Sequence, residues 1–235
     1  MREEIKARIN RSVLYIHSHV MPITFPFDAR KAVALYNNCR MMTYEELETA
    51  GSASHEDVIC ACESYAGCTK YDRNTGRFLI LVNTSDRNTV SKERINWTIA
   101  HELGHIICKH FDELLSTDKG EIQSSEIRSA EMEEEADAFA AELLAPMPAL
   151  CRVGVKNVGD IRRCFGLSQQ AAEFRWAELK RYSNSDKGFG LFWETRDLSL
   201  LFKRCGISAP RSSGRFQEMI IPNAKAIDIM PDEAF

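Results

Sequence analysis

The sequence predicts an α+β fold, on the evidence of two long helical patterns and one β-rich run. The helical patterns cover residues 91–111 and 131–144, where apolar side chains recur at helical spacing. The β-rich run is RFLILVN (residues 77–83), which turn-forming residues bound on both sides. With 235 residues, of which 44% are hydrophobic, the chain is long enough to bury one sizeable core.

The N-terminal part is predicted to alternate short elements. Residues 2–20 have an amphipathic helical pattern, and Pro22 and Pro26 then interrupt the chain. Asp28 is a suitable N-cap for a helix through DARKAVALYNN, and a short strand is expected around residues 41–44.

Beyond the central helix, which Ser91 can cap, residues 112–130 are polar and aperiodic. Pro146 and Pro148 end the helix over 131–144, and the segments VGDIRRCF and SQQAAEFRWAELKRY predict two further helices. We therefore expect a core over residues 1–150, a helical segment over 151–183, and a C-terminal extension of unknown role over 184–235.

Composition argues against several classes of partner. The formal net charge is -4, from 30 basic and 34 acidic residues, which gives no general attraction for nucleic acid or an anionic membrane. No secretory signal is recognisable, so we expect a cytoplasmic protein whose eight cysteines are reduced. CACESYAGC lacks the usual zinc-binding spacing, and we interpret its cysteines as small buried side chains near a loop.

The segment HELGH (residues 101–105) has the spacing of a metal site. Residues four apart on a helix differ by about 40° around the axis, so the imidazoles of His101 and His105 can reach one zinc ion. Glu102 lies about 100° away, beside the ion, where it can accept a proton from water that zinc has acidified. Gly104 lets another backbone or a substrate come close to this helix.

A catalytic zinc ion usually has three protein ligands. The helix EMEEEADAFAAELLAP (residues 131–146) is the best source of the third. Glu134 and Asp137 point away from its apolar stripe, whereas Glu133 and Glu135 lie on the two borders of that stripe. Periodicity does not choose between these two glutamates.

The two motifs together resemble those of the ImmA/IrrE family of metallo-endopeptidases, over roughly residues 28–180. The resemblance rests on Trp97, Thr98, Ala100, His101, Glu102, Gly104 and His105, followed by Glu135, Ala136, Asp137, Phe139, Ala140, Leu143, Leu144 and Pro146. It implies a zincin-like fold, with a small sheet packed on the HELGH helix and a helical segment after it. It also implies Zn²⁺ as cofactor and Glu135 as the third ligand.

Other polar residues have weaker claims to the site. His110 would lie opposite His101 on a continuing helix, so we expect it to stabilise the helix C-terminus instead. His17, His19 and His55 have no partner at ligand spacing. A donor that stabilises the transition state is expected near such a zinc ion, and Tyr65 and Tyr71 are candidates.

Residues 151–183 could form a helix-turn-helix that presents Gln169, Gln170 and Arg175 to DNA. The favoured interpretation is a helical hairpin that packs on the core. Its packing residues would be Ile161, Phe165, Phe174 and Trp176.

The sequence therefore predicts a zinc-dependent endopeptidase with His101, His105 and Glu135 as ligands and Glu102 as general base. The resemblance implies that the substrate is a helix-turn-helix repressor, whose cleavage derepresses mobile-element or stress genes. The alternative is a DNA- or protein-binding regulator with a non-catalytic metal site. A third possibility is a protein that acts only by association with a partner.

Overall fold

The computed structural model describes residues 3–85, 91–112, 121–123, 129–184 and 196–206. The helices in these ranges are α1 (Glu3–His19), α2 (Ala29–Val33), α3 (Tyr44–Gly51), α4 (His55–Cys62), α5 (Lys92–Ile107), α6 (Ala130–Leu144), α7 (Met147–Val153), α8 (Val158–Phe165), α9 (Gln169–Asn184) and α10 (Arg196–Arg204). The strands are β1 (Cys39–Thr43), β2 (Gly67–Asp72), β3 (Arg77–Val82) and β4 (Glu121–Gln123). The predicted α+β class is confirmed.

The described strands form one mixed sheet in the order β1-β3-β2-β4. β1 runs parallel to β3, whereas β2 runs antiparallel to both β3 and β4. A tight turn joins β2 to β3, and Gly76 takes a positive φ of 66° there. The turn is held by Asp72, whose backbone oxygen accepts from the amide of Gly76 and whose side chain accepts from Asn74 and Thr75.

Neighbouring residues of β2 point to opposite faces of the sheet, and both faces are covered. Cys68 lies in a hydrophobic cluster with Tyr44, Val58, Cys62 and Leu81. The interpretation of the CACESYAGC cysteines as small buried side chains thus holds for Cys62 and Cys68 but is wrong for Cys60, which is exposed. Thr69 is fully buried on the other face, where α5 packs against β2 and β3. This arrangement directs a hydroxyl group from the sheet toward α5.

Several elements begin where the sequence supplies a cap. Ser91 accepts a hydrogen bond from the amide of Arg94 and so starts α5 at the predicted place. Thr43 and Ser54 form capping boxes that start α3 and α4, two helices that periodicity did not predict. α7 begins directly after Pro146 and carries Pro148 in its first turn, where proline is tolerated.

The described chain falls into two compact units. The first comprises Met1–Ile5 and Ala29–Ala140, and the second comprises Lys6–Asp28 and Ala141–Phe235. The first contains the sheet and α5. The predicted division into residues 1–150, 151–183 and 184–235 stays a prediction, and residues 207–235 lie outside the described part.

His17 is a fully buried titratable side chain of the second unit. Its Nε2 lies 3.0 Å from the carbonyl oxygen of Leu143, and its ring lies against Phe25, Phe27 and Phe202. Among the described residues, no group forms a hydrogen bond with its buried Nδ1. Burial lowers the pKa of His17 to about 4, although the hydrogen bond to Leu143 opposes this shift.

Arg175 on α9 is also buried, at 3% exposure. Its guanidinium group donates to the carbonyl oxygen of Ala145 and to the carboxylates of Glu142 and Glu178. These contacts do not support the helix-turn-helix alternative, in which Arg175 would face DNA. Of the packing residues expected for the favoured hairpin, Ile161 and Phe165 are fully buried, but the expectation for Phe174 is wrong, since its side chain is 68% exposed.

Within the described ranges, no helix combines the length and the apolar composition needed to cross a bilayer.

We expect His17 to make the fold sensitive to acid. Between its unfolded pKa of 6.5 and its folded pKa of about 4, the unfolded chain binds a proton that the folded chain does not. The free energy of unfolding should therefore fall as pH drops, by roughly 3 kcal/mol between pH 7 and pH 4. Urea titrations across this range should show the loss in the wild type and in His19→Gln, which leaves His17 in place. The free energy of unfolding of His17→Phe should fall less over the same pH range. An equal loss in His17→Phe would contradict this account.

Candidate metal centre

His101 and His105 lie one turn apart on α5, and their rings meet on the same side of the helix. Their Nε2 atoms are 3.1 Å apart. His105 is buried at 1% exposure, whereas His101 is only half-buried. The pair therefore presents two nitrogen donors at one position that is open to solvent on the His101 side.

A third donor comes from Glu133 on α6. One carboxylate oxygen of Glu133 is 3.3 Å from Nε2 of His101, and the other is 3.5 Å from Nε2 of His105. Among the described residues, His101, His105 and Glu133 form a group whose ligand atoms all lie within 4.8 Å of one another. Two imidazoles and one carboxylate are a donor set that suits a transition-metal ion such as zinc.

Asp137 lies one turn after Glu133 and fixes the His101 ring. Its Oδ1 is 2.8 Å from Nδ1 of His101, so the ring donates its Nδ1 hydrogen to the carboxylate and turns Nε2 toward Glu133. A carboxylate behind a histidine is the usual support for a metal ligand. Asp137 was not expected in the site, because the helical wheel points it away from the apolar stripe. The signal was its four-residue spacing from Glu133, which matches that of His101 and His105.

The two helices can supply these groups together because they approach closely at Gly104. A Cβ atom at position 104 would lie only 2.9 Å from the carbonyl oxygen of Ala136 and 3.0 Å from its Cα. Gly104 was expected to let another backbone segment come close, and it does. That segment is the turn of α6 between Glu133 and Asp137.

Glu135 takes a different place from the one that the resemblance implied. It is fully buried, and its Oε2 lies 3.2 Å from Nε2 of His110. Glu135 does not belong to the group formed by His101, His105 and Glu133. The reason is rotation along α6, since Glu135 points about 200° away from Glu133 around the helix axis.

His110 also departs from expectation. α5 ends at Ile107 rather than near Phe111, and Lys109 then takes a left-handed backbone conformation with φ of 61°. This reversal brings Nδ1 of His110 to 2.8 Å from Nδ1 of His105. The position expected for His110 opposite His101 was wrong because α5 does not continue that far, but His110 is not part of the group formed by His101, His105 and Glu133.

Glu102 is buried beside the two histidines at 6% exposure. The hydroxyl of Thr69 on β2 donates to its Oε2 at 2.8 Å. This contact holds the carboxylate against the sheet and fixes its orientation. Thr69 could not be predicted from the sequence. It lies 33 residues before Glu102, and a single threonine at that separation leaves no periodic signal.

Charge around the site favours a cation. Burial opposes protonation of His101, but hydrogen bonds with Asp137 and Glu133 outweigh it and raise the pKa of His101 to about 10. Burial lowers the pKa of His105 to about 2, and repulsion by His101 and His110 adds to this shift. The surrounding carboxylates therefore stabilise one positive charge, not two, at this position.

Comparison with known families identifies the domain that carries these residues. The Peptidase_M78 family model, described as an IrrE N-terminal-like domain, matches residues 68–177. Residues 68–177 belong to the ImmA/IrrE family. The match is shorter than the resemblance over residues 28–180, but it includes β2, α5 and α6 with all the residues described above. No curated protein matches the chain.

Membership of the ImmA/IrrE family makes this chain a metallopeptidase, and its substrate is accordingly a protein. The zincin-like α+β fold agrees with this membership, since a small sheet packs on the helix that carries HELGH.

The two tyrosines named as transition-state donors lie in different surroundings. The ring of Tyr71 stacks on Phe78 with centroids 4.6 Å apart and lies near Phe111. The side chain of Tyr65 is 72% exposed. Their role in catalysis stays a prediction.

Gly104→Ala should destabilise the chain, because the added methyl group meets backbone atoms of Ala136 that side-chain rotation does not relieve. We expect a loss of about 1–3 kcal/mol in the free energy of unfolding, measured by urea titration. Gly51→Ala is the matched control, since its methyl group meets only Ala53 at 4.0 Å and alanine favours the helix. An equally stable Gly104→Ala variant would show that the close helix approach is not required.

Proposed function

We propose that this chain is a zinc-dependent endopeptidase that uses His101, His105 and Glu133 as ligands and Glu102 as general base. The observation that carries the proposal is the triangle formed by the three donor groups. Two imidazole nitrogens and a carboxylate converge there, and the buried Glu102 directly follows His101 on the same helix.

The size of the triangle fits zinc. Ligand atoms bound at about 2.0–2.2 Å in tetrahedral geometry lie roughly 3.3–3.6 Å from each other. The two Nε2 atoms are 3.1 Å apart, and each lies 3.3–3.5 Å from an oxygen of Glu133, a different oxygen for each ring. With one oxygen counted for Glu133, the three ligand atoms lie within 4.8 Å of one another. A small rotation of the carboxylate would bring one oxygen into the tetrahedral range. Glu133 replaces Glu135 as the proposed third ligand, as periodicity alone had allowed.

A bound zinc ion would polarise the scissile carbonyl group and acidify water. The remaining chemistry belongs to the chain. Glu102 accepts a proton from the attacking water and returns it to the leaving amine. Thr69 holds Oε2 of Glu102, and Asp137 keeps the Nδ1 hydrogen of His101 in place. Both contacts limit the motion of groups that must act in a fixed geometry.

We further propose that the substrate is a helix-turn-helix repressor and that its cleavage derepresses mobile-element or stress genes. Resemblance to the ImmA/IrrE family supports this assignment. A narrow substrate range also suits an endopeptidase that acts inside its own cell, where we expect this chain to work.

DNA binding is the weaker alternative. The net charge of -4 provides no general attraction to phosphate, and Arg175 is occupied by Glu142, Glu178 and the carbonyl oxygen of Ala145. These observations support a structural role for Arg175.

Glu133→Ala should weaken zinc binding, because it removes one of three proposed ligands. We expect the dissociation constant to rise by more than about 100-fold, since changes behind a ligand alone cost 10–100-fold. Competition with a chromophoric chelator measures this directly. Glu134→Ala is the matched control, because Glu134 is the next residue on α6 and its side chain is exposed. Equal affinities for the two variants would refute the assignment of Glu133.

Glu102→Gln should separate metal binding from catalysis. We expect one zinc ion per chain to remain, whereas hydrolysis should fall by at least about 10²–10⁴-fold because the general base is lost. Co-expression with a helix-turn-helix repressor encoded beside this chain should give a repressor fragment with the wild type only. A fragment of equal yield with Glu102→Gln would exclude Glu102 as the base.

A further inference from the structure

Three buried side chains form a line that leads away from the proposed zinc site. Nδ1 of His105 is 2.8 Å from Nδ1 of His110, and Nε2 of His110 is 3.2 Å from Oε2 of Glu135. His105 and His110 are each 1% exposed, and Glu135 is fully buried. A buried carboxylate is costly unless it is hydrogen-bonded, and His110 supplies such a bond.

The backbone is arranged to make this line possible. α5 stops at Ile107, and Lys109 takes a left-handed conformation that is unfavourable for a lysine. Backbone strain of this kind persists where surrounding contacts determine the structure. Here its effect is to fold His110 back under α5, between His105 and Glu135.

The position of the hydrogens follows from the chemistry of two facing Nδ1 atoms. Only one hydrogen fits between them, so one ring donates and the other accepts. If His110 donated, neutral His105 would carry its hydrogen on Nε2, and that nitrogen could not bind a metal. If His105 donates, its Nε2 lone pair faces Glu133 and His101, and His110 donates its own Nε2 hydrogen to Glu135.

We propose that His110 and Glu135 are positioning residues that hold His105 as the Nδ1–H tautomer, so that its Nε2 is ready to bind the metal. This inference rests on the proposed zinc site. It gives each metal-binding histidine a carboxylate behind it. Asp137 supports His101 directly, whereas Glu135 supports His105 through His110. It also gives a role to Glu135, a fully buried glutamate that points away from Glu133.

The test compares three variants of the full chain. His110→Phe/Glu135→Met removes the acceptor for His105 together with the buried carboxylate, so that no charge is left without a partner. His110→Asn keeps an oxygen acceptor near the position of Nδ1 and should rescue the tautomer. Glu134→Gln changes an exposed neighbour on α6 and is the control.

Two measurements are made on each variant. The ¹⁵N chemical shifts of the histidine rings, recorded in the presence of chelator, report the tautomer of His105. We expect the Nδ1–H form in the wild type, Glu134→Gln and His110→Asn, and a mixture with the Nε2–H form in the double variant. Competition with a chromophoric chelator should show zinc binding weakened 10–100-fold in the double variant and less than about 10-fold in His110→Asn.

The two proposals fail in different ways. A wild-type chain that does not bind zinc would overturn the proposed metal site, while the tautomer measured without metal would still decide the role of His110 and Glu135. An unchanged His105 tautomer in the double variant would overturn that role, whatever the zinc affinity.

Discussion

The close crossing of α5 and α6 at Gly104 is the constraint on which the site depends. With no side chain at position 104, the backbone of Ala136 lies against α5, and the helical turns on either side carry the reactive groups. His101 and His105 flank Gly104 on one helix, while Glu133 and Asp137 flank Ala136 on the other. Two pairs of residues with the same four-residue spacing thus face each other, and a small change in helix separation would part the donors.

The second constraint is that each polar group held near this crossing needs a partner. Thr69 projects from the face of β2 that α5 covers and binds Glu102, whereas the preceding Cys68 lies in the hydrophobic cluster on the other face. His110 lies between His105 and Glu135 in the same way. The sheet and the end of α5 therefore orient groups that the crossing brings together, so the fold and the chemistry depend on the same contacts.

Periodicity and capping were sufficient to predict α5, α6, β3 and the face of α5 that carries both histidines. They were not sufficient to choose between Glu133 and Glu135, because a helical wheel gives the borders of an apolar stripe but not which border faces a neighbour. That choice depends on the crossing at Gly104. The position of His110 could not be predicted either, since it depends on the early end of α5 and on the left-handed backbone conformation of Lys109. α3 and α4 were missed because each has only eight residues, too few to show a clear helical period.

The central claim is that one zinc ion binds where α5 crosses α6, with His101, His105 and Glu133 as its ligands. Anomalous diffraction at the zinc absorption edge, from crystals of the zinc-loaded chain, tests it most directly. The account predicts one peak within bonding distance of Nε2 of His101, Nε2 of His105 and a carboxylate oxygen of Glu133, at about 2.0–2.2 Å. A peak bound by Glu135 instead, or one remote from both rings, would contradict it.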